Sequence, residues 1–186
     1  LTVLGIFSSV PAFASGVAPG TSISNTANVS YTVSGIPHTG TATNTFVVAQ
    51  LVDDTATWQD AGAVAVSAGS SNQALLFKLT NTGNGSDTFG LVATPGPGTS
   101  PSFIPASCRL YFDTDNNGVF SGPDTLYVPG TNDPTLAADA SVVLLAVCNI
   151  PVTAVDQSQG TVQLVATSKT VSGAPGTVNT GGGIGG

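Results

Sequence analysis

Residues 74–93 read ALLFKLTNTGNGSDTFGLVA and carry the clearest secondary-structure pattern in the chain. Two apolar segments, 74–80 and 87–93, flank residues 81–86, which are mainly Asn, Gly and Ser. Short apolar runs that end at residues of this kind are typical of β-strands joined by a turn. The stretch therefore predicts a strand–turn–strand unit.

The same alternation of short runs and turn residues extends over most of the chain. Thr and Val favour a pleated sheet, Gly, Asn, Asp and Pro favour turns, and Glu and Met are absent. Further strand-like segments occur at residues 22–33, 39–48, 53–58, 63–66, 106–112, 125–128, 142–150 and 160–168. About nine short strands at intervals of roughly 10–15 residues predict an antiparallel sandwich rather than βαβ units, with a loop at residues 134–140.

The predicted organisation has four parts. Residues 1–14 form an apolar segment, 15–50 an N-terminal hairpin, 51–170 the core of the sandwich and 171–186 a Gly-rich C-terminal tail. The composition of the tail is that of a flexible linker. The fold class is therefore all-β, with an extended apolar N-terminal arm ahead of the sandwich.

Charge is scarce along this chain. Ten acidic residues, all Asp, and three cations give a formal net charge of −7, and charged residues make up 7% of the total. The cations Lys78, Arg109 and Lys169 cannot form a basic patch, which argues against binding to nucleic acid or to an anionic membrane surface. A surface of Thr, Ser, Asn and Gly is poorly protected against edge-to-edge strand pairing, and this property suits a fibre subunit.

The chain offers few groups for acid–base chemistry. Its single His, His38, follows a proline in a turn and has no second His or thiol pair nearby in the sequence. Asp53 and Asp54 would point to opposite faces of a strand and are interpreted as capping a strand end. Trp58 fits either a core position or a platform that stacks on sugars. No Gly-rich phosphate loop, zinc spacing or Ser-His-Asp order occurs, so we assign no catalytic residue and predict that the chain is not an enzyme.

Two cysteines occur, Cys108 and Cys148, each within a strand-like run. An even number of cysteines in an exported β-rich chain predicts a disulfide, and two buried free thiols are the alternative. Closing a loop of 40 residues would stabilise the fold by about 4 kcal/mol in the chain-entropy model.

The first fourteen residues, LTVLGIFSSVPAFA, are apolar and carry no charge. Residues 12–14 ahead of Ser15 have the small-x-small pattern of a signal-peptidase site, so one interpretation is the end of a secretory signal. The other is an extended arm that adds a strand to another subunit's sheet, because apolar residues alternate along it. The residues predicted to make the polymerisation contacts are Leu1, Val3, Leu4, Ile6, Phe7 and Val10. Both interpretations require export and predict no membrane insertion in the mature form.

Residues 113–124 fit the twelve-residue calcium-loop template. The template positions one, three, five, seven, nine and twelve are occupied by Asp113, Asp115, Asn117, Val119 through its carbonyl, Ser121 and Asp124. Gly118 falls at position six, where a sharp turn is needed. Calcium bound here would stiffen a loop rather than catalyse, and a polar hairpin loop without metal is the alternative.

Three stretches, 74–89, 109–126 and 136–151, resemble the conserved-repeat, immunoglobulin-like domains of bacterial exported surface proteins, and residues 22–32 match the opening typical of that group. The resemblance implies an immunoglobulin-like antiparallel β-sandwich, export, and no catalytic residues. An apolar arm ahead of such a sandwich is also similar in layout to strand-donating pilus or biofilm-matrix fibre subunits.

These observations predict a structural role outside the cell. We expect the repeating subunit of an extracellular filament or surface assembly, whose partners are other copies of itself and whose arm adds to a neighbour's sheet. The alternative is a monomeric adhesion or carbohydrate-binding module of a larger cell-surface protein. Calcium is the one predicted cofactor. Asn28 and Asn84 fit the glycosylation sequon.

Overall fold

The computed structural model describes residues 16–98 and 101–170, and every regular element among them is a strand. The strands are β1 (Ser22–Val33), β2 (Ile36–Val47), β3 (Asp54–Trp58), β4 (Gln73–Asn81), β5 (Asp87–Pro95), β6 (Ala106–Phe112), β7 (Thr125–Leu126), β8 (Thr135–Leu136), β9 (Ser141–Asn149) and β10 (Val162–Ser168). The chain is therefore all-β, as predicted. The arm at residues 1–14 and the tail at 171–186 lie outside the described residues.

The strands form three antiparallel sheets. One contains β1 and β2, a second has the order β10-β5-β8, and the third has the order β3-β4-β9-β6-β7. The three-stranded and five-stranded sheets pack against each other. Strand β10 of the former contacts β3 and β4 of the latter, and β5 contacts β6. Two sheets that share one core are consistent with the predicted β-sandwich, and we call residues 51–170 the body.

The core of the body follows from period-two alternation. Phe77 and Leu79 in β4 and Leu164 and Ala166 in β10 are buried, while residues between them are more exposed. The central strand β9 is buried on both faces over Leu144–Cys148. The buried cluster comprises Phe77, Leu79, Phe89, Leu91, Leu110, Tyr127, Leu136, Leu144, Ala146, Leu164 and Ala166.

Two strand predictions were wrong in detail. Residues 63–66 form no strand, because no backbone ladder pairs with them, and their valines instead line an opening in the body. Residues 134–140 were predicted to be a loop, but Thr135–Leu136 pairs with β5. A strand of two residues has too short a pattern to be detected from sequence.

Cys108 and Cys148 form a disulfide, as predicted, which closes a loop of 40 residues. It joins β6 to its neighbour β9 within one sheet, next to a bulge at which Ser107 has a positive φ of 53°. In antibody-type immunoglobulin domains the bridge instead connects the two sheets.

β1 and β2 form a long hairpin that we call the ribbon. Its twelve pairs run from Ser22↔Val47 to Val33↔Ile36. Ser34 and Gly35 at its tip have φ values of 52° and 79°, which match the type I′ turn that suits the twist of a hairpin. Every ribbon residue except Ile23 is exposed, so the ribbon projects from the body.

Candidate functional site

An apolar groove opens on one side of the body, where the edge strands β3 and β10 approach each other. Its apolar lining is Ala56, Trp58, Phe77, Pro97, Val162 and Leu164, and Gly98, Thr161 and Gln163 complete the border. It continues into a chamber of about 370 Å³ that is lined by Val64, Val66, Leu75, Phe103 and Ile150, among others. The groove is thus a continuous apolar opening between the two sheets.

Both strands that border the groove have unpaired outer edges among the described residues. Two backbone hydrogen bonds mark the ends of the ladder between β10 and β5. Thr161 O accepts from Gly96 N at one end, and Lys169 N donates to Thr88 O at the other. Antiparallel ladders alternate, so the backbone groups of Val162, Leu164 and Ala166 point away from β5. A row of free N–H and C=O groups of this kind is a template for another strand.

The β3 edge is arranged in the same way. Asp53 O accepts from Thr82 N and Gln59 N donates to Leu76 O at the two ends of the ladder with β4. The same alternation turns the backbone groups of Ala56 and Trp58 outward, toward the groove, where Trp58 O accepts only a long bond of 3.4 Å from Gln59 Nε2. The groove therefore combines apolar side chains with backbone donors and acceptors on both borders.

Trp58, the last residue of β3, lines both the groove and the chamber and is 49% exposed. Its Nε1 donates to Asp60 Oδ2 at 2.5 Å, and the same oxygen accepts from Leu76 N at 2.9 Å. The interpretation of Trp58 as a core anchor was wrong, because β3 is an edge strand and its last residue is covered on one side only. The indole is instead a fixed, half-exposed apolar surface.

Asp54 marks the opposite end of the β3 edge. Its Oδ2 is buried without a hydrogen-bond partner among the described residues. Burial raises the pKa of the Asp54 carboxyl, and the charges of Asp53 and Asp87 raise it further. Asp87 is itself buried and accepts from Ser168 Oγ at 2.5 Å and from Thr170 Oγ1 at 2.7 Å. The adjacent carboxylates at 53 and 54 thus differ strongly in environment.

We expect Asp54→Asn to stabilise the protein at neutral pH. A raised pKa means that the folded state holds the Asp54 proton more tightly than the unfolded chain does, so stability falls as pH rises above 3.8. Because Asp54 is partly exposed and solvent screens its charge, removing that charge should raise the melting temperature at pH 7 by no more than about 2–4 °C. The gain should vanish near pH 3. Calorimetry across this range, with the exposed Asp156→Asn as control, tests the prediction, and an equal gain at both pH values contradicts it.

The predicted calcium loop brings its acidic residues together. Carboxylate oxygens of Asp113, Asp115 and Asp124 lie within 4.8 Å of one another. Ser121 Oγ lies 3.2 Å from Asp115 Oδ2, and Asn117 Nδ2 donates to that oxygen at 2.8 Å. The carboxylate and hydroxyl oxygens of Asp113, Asp115, Ser121 and Asp124 are hard ligands of the kind that Ca²⁺ prefers, so these residues fit the ion.

The backbone of this loop follows the same template. Gly118 has a φ of +71°, and its N–H donates to Asp113 Oδ2 at 2.9 Å. Val119 N donates to Asn117 Oδ1 at 2.7 Å. Phe120 packs on Tyr111 with ring centroids 4.6 Å apart, which seats the loop on the outer face of the five-stranded sheet. Calcium binding itself stays a prediction.

We expect calcium to raise the melting temperature of the protein by about 5–10 °C at a concentration one hundred times its dissociation constant. The reason is that three carboxylates in close proximity repel one another unless a cation binds between them. The double variant Asp115→Asn/Asp124→Asn should lose this shift, whereas Asp156→Asn should keep it. Scanning fluorimetry with CaCl₂, MgCl₂ or chelator is the measurement, and no shift in the unmodified protein would contradict the prediction.

The remaining predicted site residues are dispersed. The arm residues, Leu1 to Val10, lie outside the described part of the chain. His38 stacks on Tyr31 in the ribbon at 5.2 Å. Of the two sequons, Asn28 is exposed on the ribbon, whereas all hydrogen-bonding groups of the Asn84 side chain are used within the protein.

Sequence reasoning missed the groove and the role of Asn84. Its Oδ1 accepts from Leu51 N at 2.7 Å, and its Nδ2 donates to Val17 O and Ala49 O at 3.1 and 3.0 Å. The β4–β5 turn thereby holds the two chain segments that enter and leave the ribbon at its base. An Asn between two glycines signals a turn, but nothing local to it indicates partners more than thirty residues away.

Within residues 16–98 and 101–170, no helix is long and apolar enough to cross a membrane. In comparisons with known proteins, the chain matches no family model, no curated protein and no solved structure.

Proposed function

We propose that this protein is a structural subunit of an extracellular filament or surface assembly, and that residues 1–14 of one copy add as a strand to the groove of the next. The groove between the unpaired edges of β3 and β10 carries the proposal, because it offers apolar side chains and free backbone groups together. An immunoglobulin-like topology and a location outside the cell belong to the same proposal.

The arm has the length and character that the groove requires. Fourteen extended residues span about 46 Å, whereas the seven residues of β10 span about 23 Å. The arm has no charge, so no ion would lose its solvation on entering an apolar opening. Burying three or four of its large side chains would contribute about 5–12 kcal/mol before ordering costs, enough for a stable joint.

Two other features support a role outside the cell. The disulfide between Cys108 and Cys148 is of a kind that persists in oxidising compartments. The surface has few charges, a composition that favours association over dispersal. Calcium in the 113–124 loop would stiffen the body without taking part in the joint.

The joint is tested by electron microscopy of the secreted protein. Unmodified protein should form regular filaments. Deletion of residues 1–14, or Ile6→Asp, should abolish filaments and leave soluble protein, because a charge inside the groove is costly. Ser9→Asp places the same charge at a polar arm position and should weaken filaments much less.

The mass of the mature secreted chain provides an independent test. A chain that retains residues 1–14 agrees with the arm. A chain that begins at Ser15 contradicts it, because the segment would then be the end of a signal. Filaments that persist in the Ile6→Asp variant would also contradict the proposed joint.

A second candidate function is favoured by the half-exposed Trp58. An indole held by Asp60 in an open groove is able to stack on a sugar ring, as in a carbohydrate-binding module. Titration of soluble oligosaccharides against the fluorescence of this single Trp separates the two functions. Saturable quenching, together with a calorimetric heat of binding that Trp58→Ala loses, would favour the binding module, and the absence of both would favour the strand joint.

A further inference from the structure

The ribbon has two faces of opposite character. Residues directly opposite each other in an antiparallel pair lie on the same face, and residues two apart along a strand do so too. From base to tip, one face carries the pairs Ile23/Phe46, Asn25/Asn44, Ala27/Ala42, Val29/Gly40, Tyr31/His38 and Val33/Ile36. The other face is Ser, Thr and Asn throughout except for Pro37 and Val47, and its side chains bond to one another, as Thr26 does to Thr43 at 3.0 Å.

The apolar face is uncovered by any residue that the structure describes. Val29, Tyr31, Val33, Ile36 and Phe46 are each more than half exposed. An isolated two-stranded hairpin is only marginally stable in water, and its free edges add to the cost of leaving it exposed. A ribbon of twelve pairs with one apolar face is therefore a surface that a partner would stabilise.

The ribbon is also held at a defined place on the body. Asn84 bonds to residues 17, 49 and 51 at its base, and Gly85 packs on Pro19 so closely that a Cβ there would lie 2.7 Å from the proline Cγ. Gly20 N and Val48 N close the base with backbone bonds of 2.9 Å. The ribbon is consequently presented as a preformed surface, which lowers the ordering cost of binding.

We propose that the apolar face of the ribbon is an interface to the same face of a second copy of this chain, with the two ribbons packed face to face and antiparallel about a two-fold axis. In that arrangement the bulky pair Ile23/Phe46 at the base of one ribbon meets the bulky pair Val33/Ile36 at the tip of the other. The Asn25/Asn44 pair meets the polar tips of Tyr31 and His38. The small pair Ala27/Ala42 meets Val29 and Gly40 at the centre, so the face is complementary to itself, as an isologous contact requires.

Charge favours a second copy over another occupant. The body carries all of the formal net charge of −7, whereas residues 22–47 contain no Asp, Glu, Lys or Arg. A ribbon-to-ribbon contact therefore brings no like charges together, and it offers an anionic membrane no attraction. Each face measures roughly 40 Å by 10 Å, so the pair would bury about 800 Å² in total, which is the size of a weak contact. Such a contact gains strength when it is repeated along a filament.

The interface is tested in the full chain carrying Ile6→Asp, which disables the proposed arm joint, so failure here is separate from failure of filament growth. Sedimentation velocity from about 1 μM to 1 mM should reveal a monomer–dimer equilibrium. Tyr31→Asp should weaken it at least about tenfold, since an unpaired charge would be buried against the Asn25/Asn44 pair of the other copy. Thr32→Asp adds the same charge to the polar face one residue away and should leave it unchanged. Both variants should keep the melting temperature of the body.

A second measurement defines the orientation of the two ribbons. Chains with Ala27→Cys mixed with chains with Val29→Cys should crosslink under mild oxidation, while Thr26→Cys mixed with Asn28→Cys, on the polar face, should not. The native cysteines do not interfere because they are bonded to each other. A monomer at all concentrations, equal effects of the two Asp variants, or binding of the ribbon to neutral lipid vesicles in place of self-association would each overturn the proposal.

Discussion

Tyr127→Phe is expected to lower the free energy of unfolding by about 3 kcal/mol. The Tyr127 hydroxyl is buried, donates to Asp133 Oδ1 at 2.6 Å and accepts from Leu91 N at 2.9 Å. It thereby connects the segment after β7 to β5, which belongs to the other sheet. Removing it leaves the Leu91 N–H without a partner and takes a donor from a carboxylate that also pairs with Lys169. Urea unfolding followed by circular dichroism measures the loss.

The control for this prediction is Tyr111→Phe. Tyr111 lies in β6, and its hydroxyl makes no hydrogen bond with a described residue, so its removal should cost less than about 0.5 kcal/mol. The environment of Tyr127 is distinct in a second way, because burial and the hydrogen bond to Asp133 raise the pKa of its phenol to about 12. Equal losses in the two variants would show that the link between the sheets contributes little.

The double variant Cys108→Ser/Cys148→Ser should lose about 4 kcal/mol of stability. The bridge closes a 40-residue loop, and releasing it restores that much conformational entropy to the unfolded chain. Because the two strands are already neighbours in a ladder with four further pairs beyond the bulge, the native structure should persist. Urea unfolding of the unmodified protein, the double variant and the reduced protein measures the effect.

Reduction of the unmodified protein serves as the control, since it breaks the same bond without substitution. The reduced protein and the double variant should agree within about 1 kcal/mol. A loss below about 1 kcal/mol in both would mean that the denatured chain keeps the two strands together even without the bond.

Much of the fold could be predicted from local sequence patterns. β1 and β6 have the predicted bounds, because alternation and flanking turn residues act within a few positions. The carboxylates of Asp113, Asp115 and Asp124 lie together because all three belong to one short loop. The disulfide was predicted from the number of cysteines, whereas its position within one sheet was not.

The groove could not be predicted from the sequence, and the reason is physical. β3 and β10 lie about 100 residues apart in the chain, and neither carries a mark that it forms an edge. Whether a strand is an edge depends on which partners reach it through hydrogen bonds elsewhere in the molecule. Trp58 was misinterpreted for the same reason. Its aromatic side chain is typical of a core residue, and only the tertiary structure shows that β3 is an edge strand among the described residues.

From its sequence alone, this chain is all-β, because residues 74–93 and the segments around them combine strand and turn residues that act over short distances. The tertiary structure alone decided that β4 pairs with β9 and β5 with β10, so that the turn at 81–86 crosses between two sheets instead of closing a hairpin. Among the described residues, it also decided which strand edges have no partner and which ribbon face is exposed. Those outcomes depend on hydrogen bonds and packing between distant residues, and alternation along one strand contains no record of them.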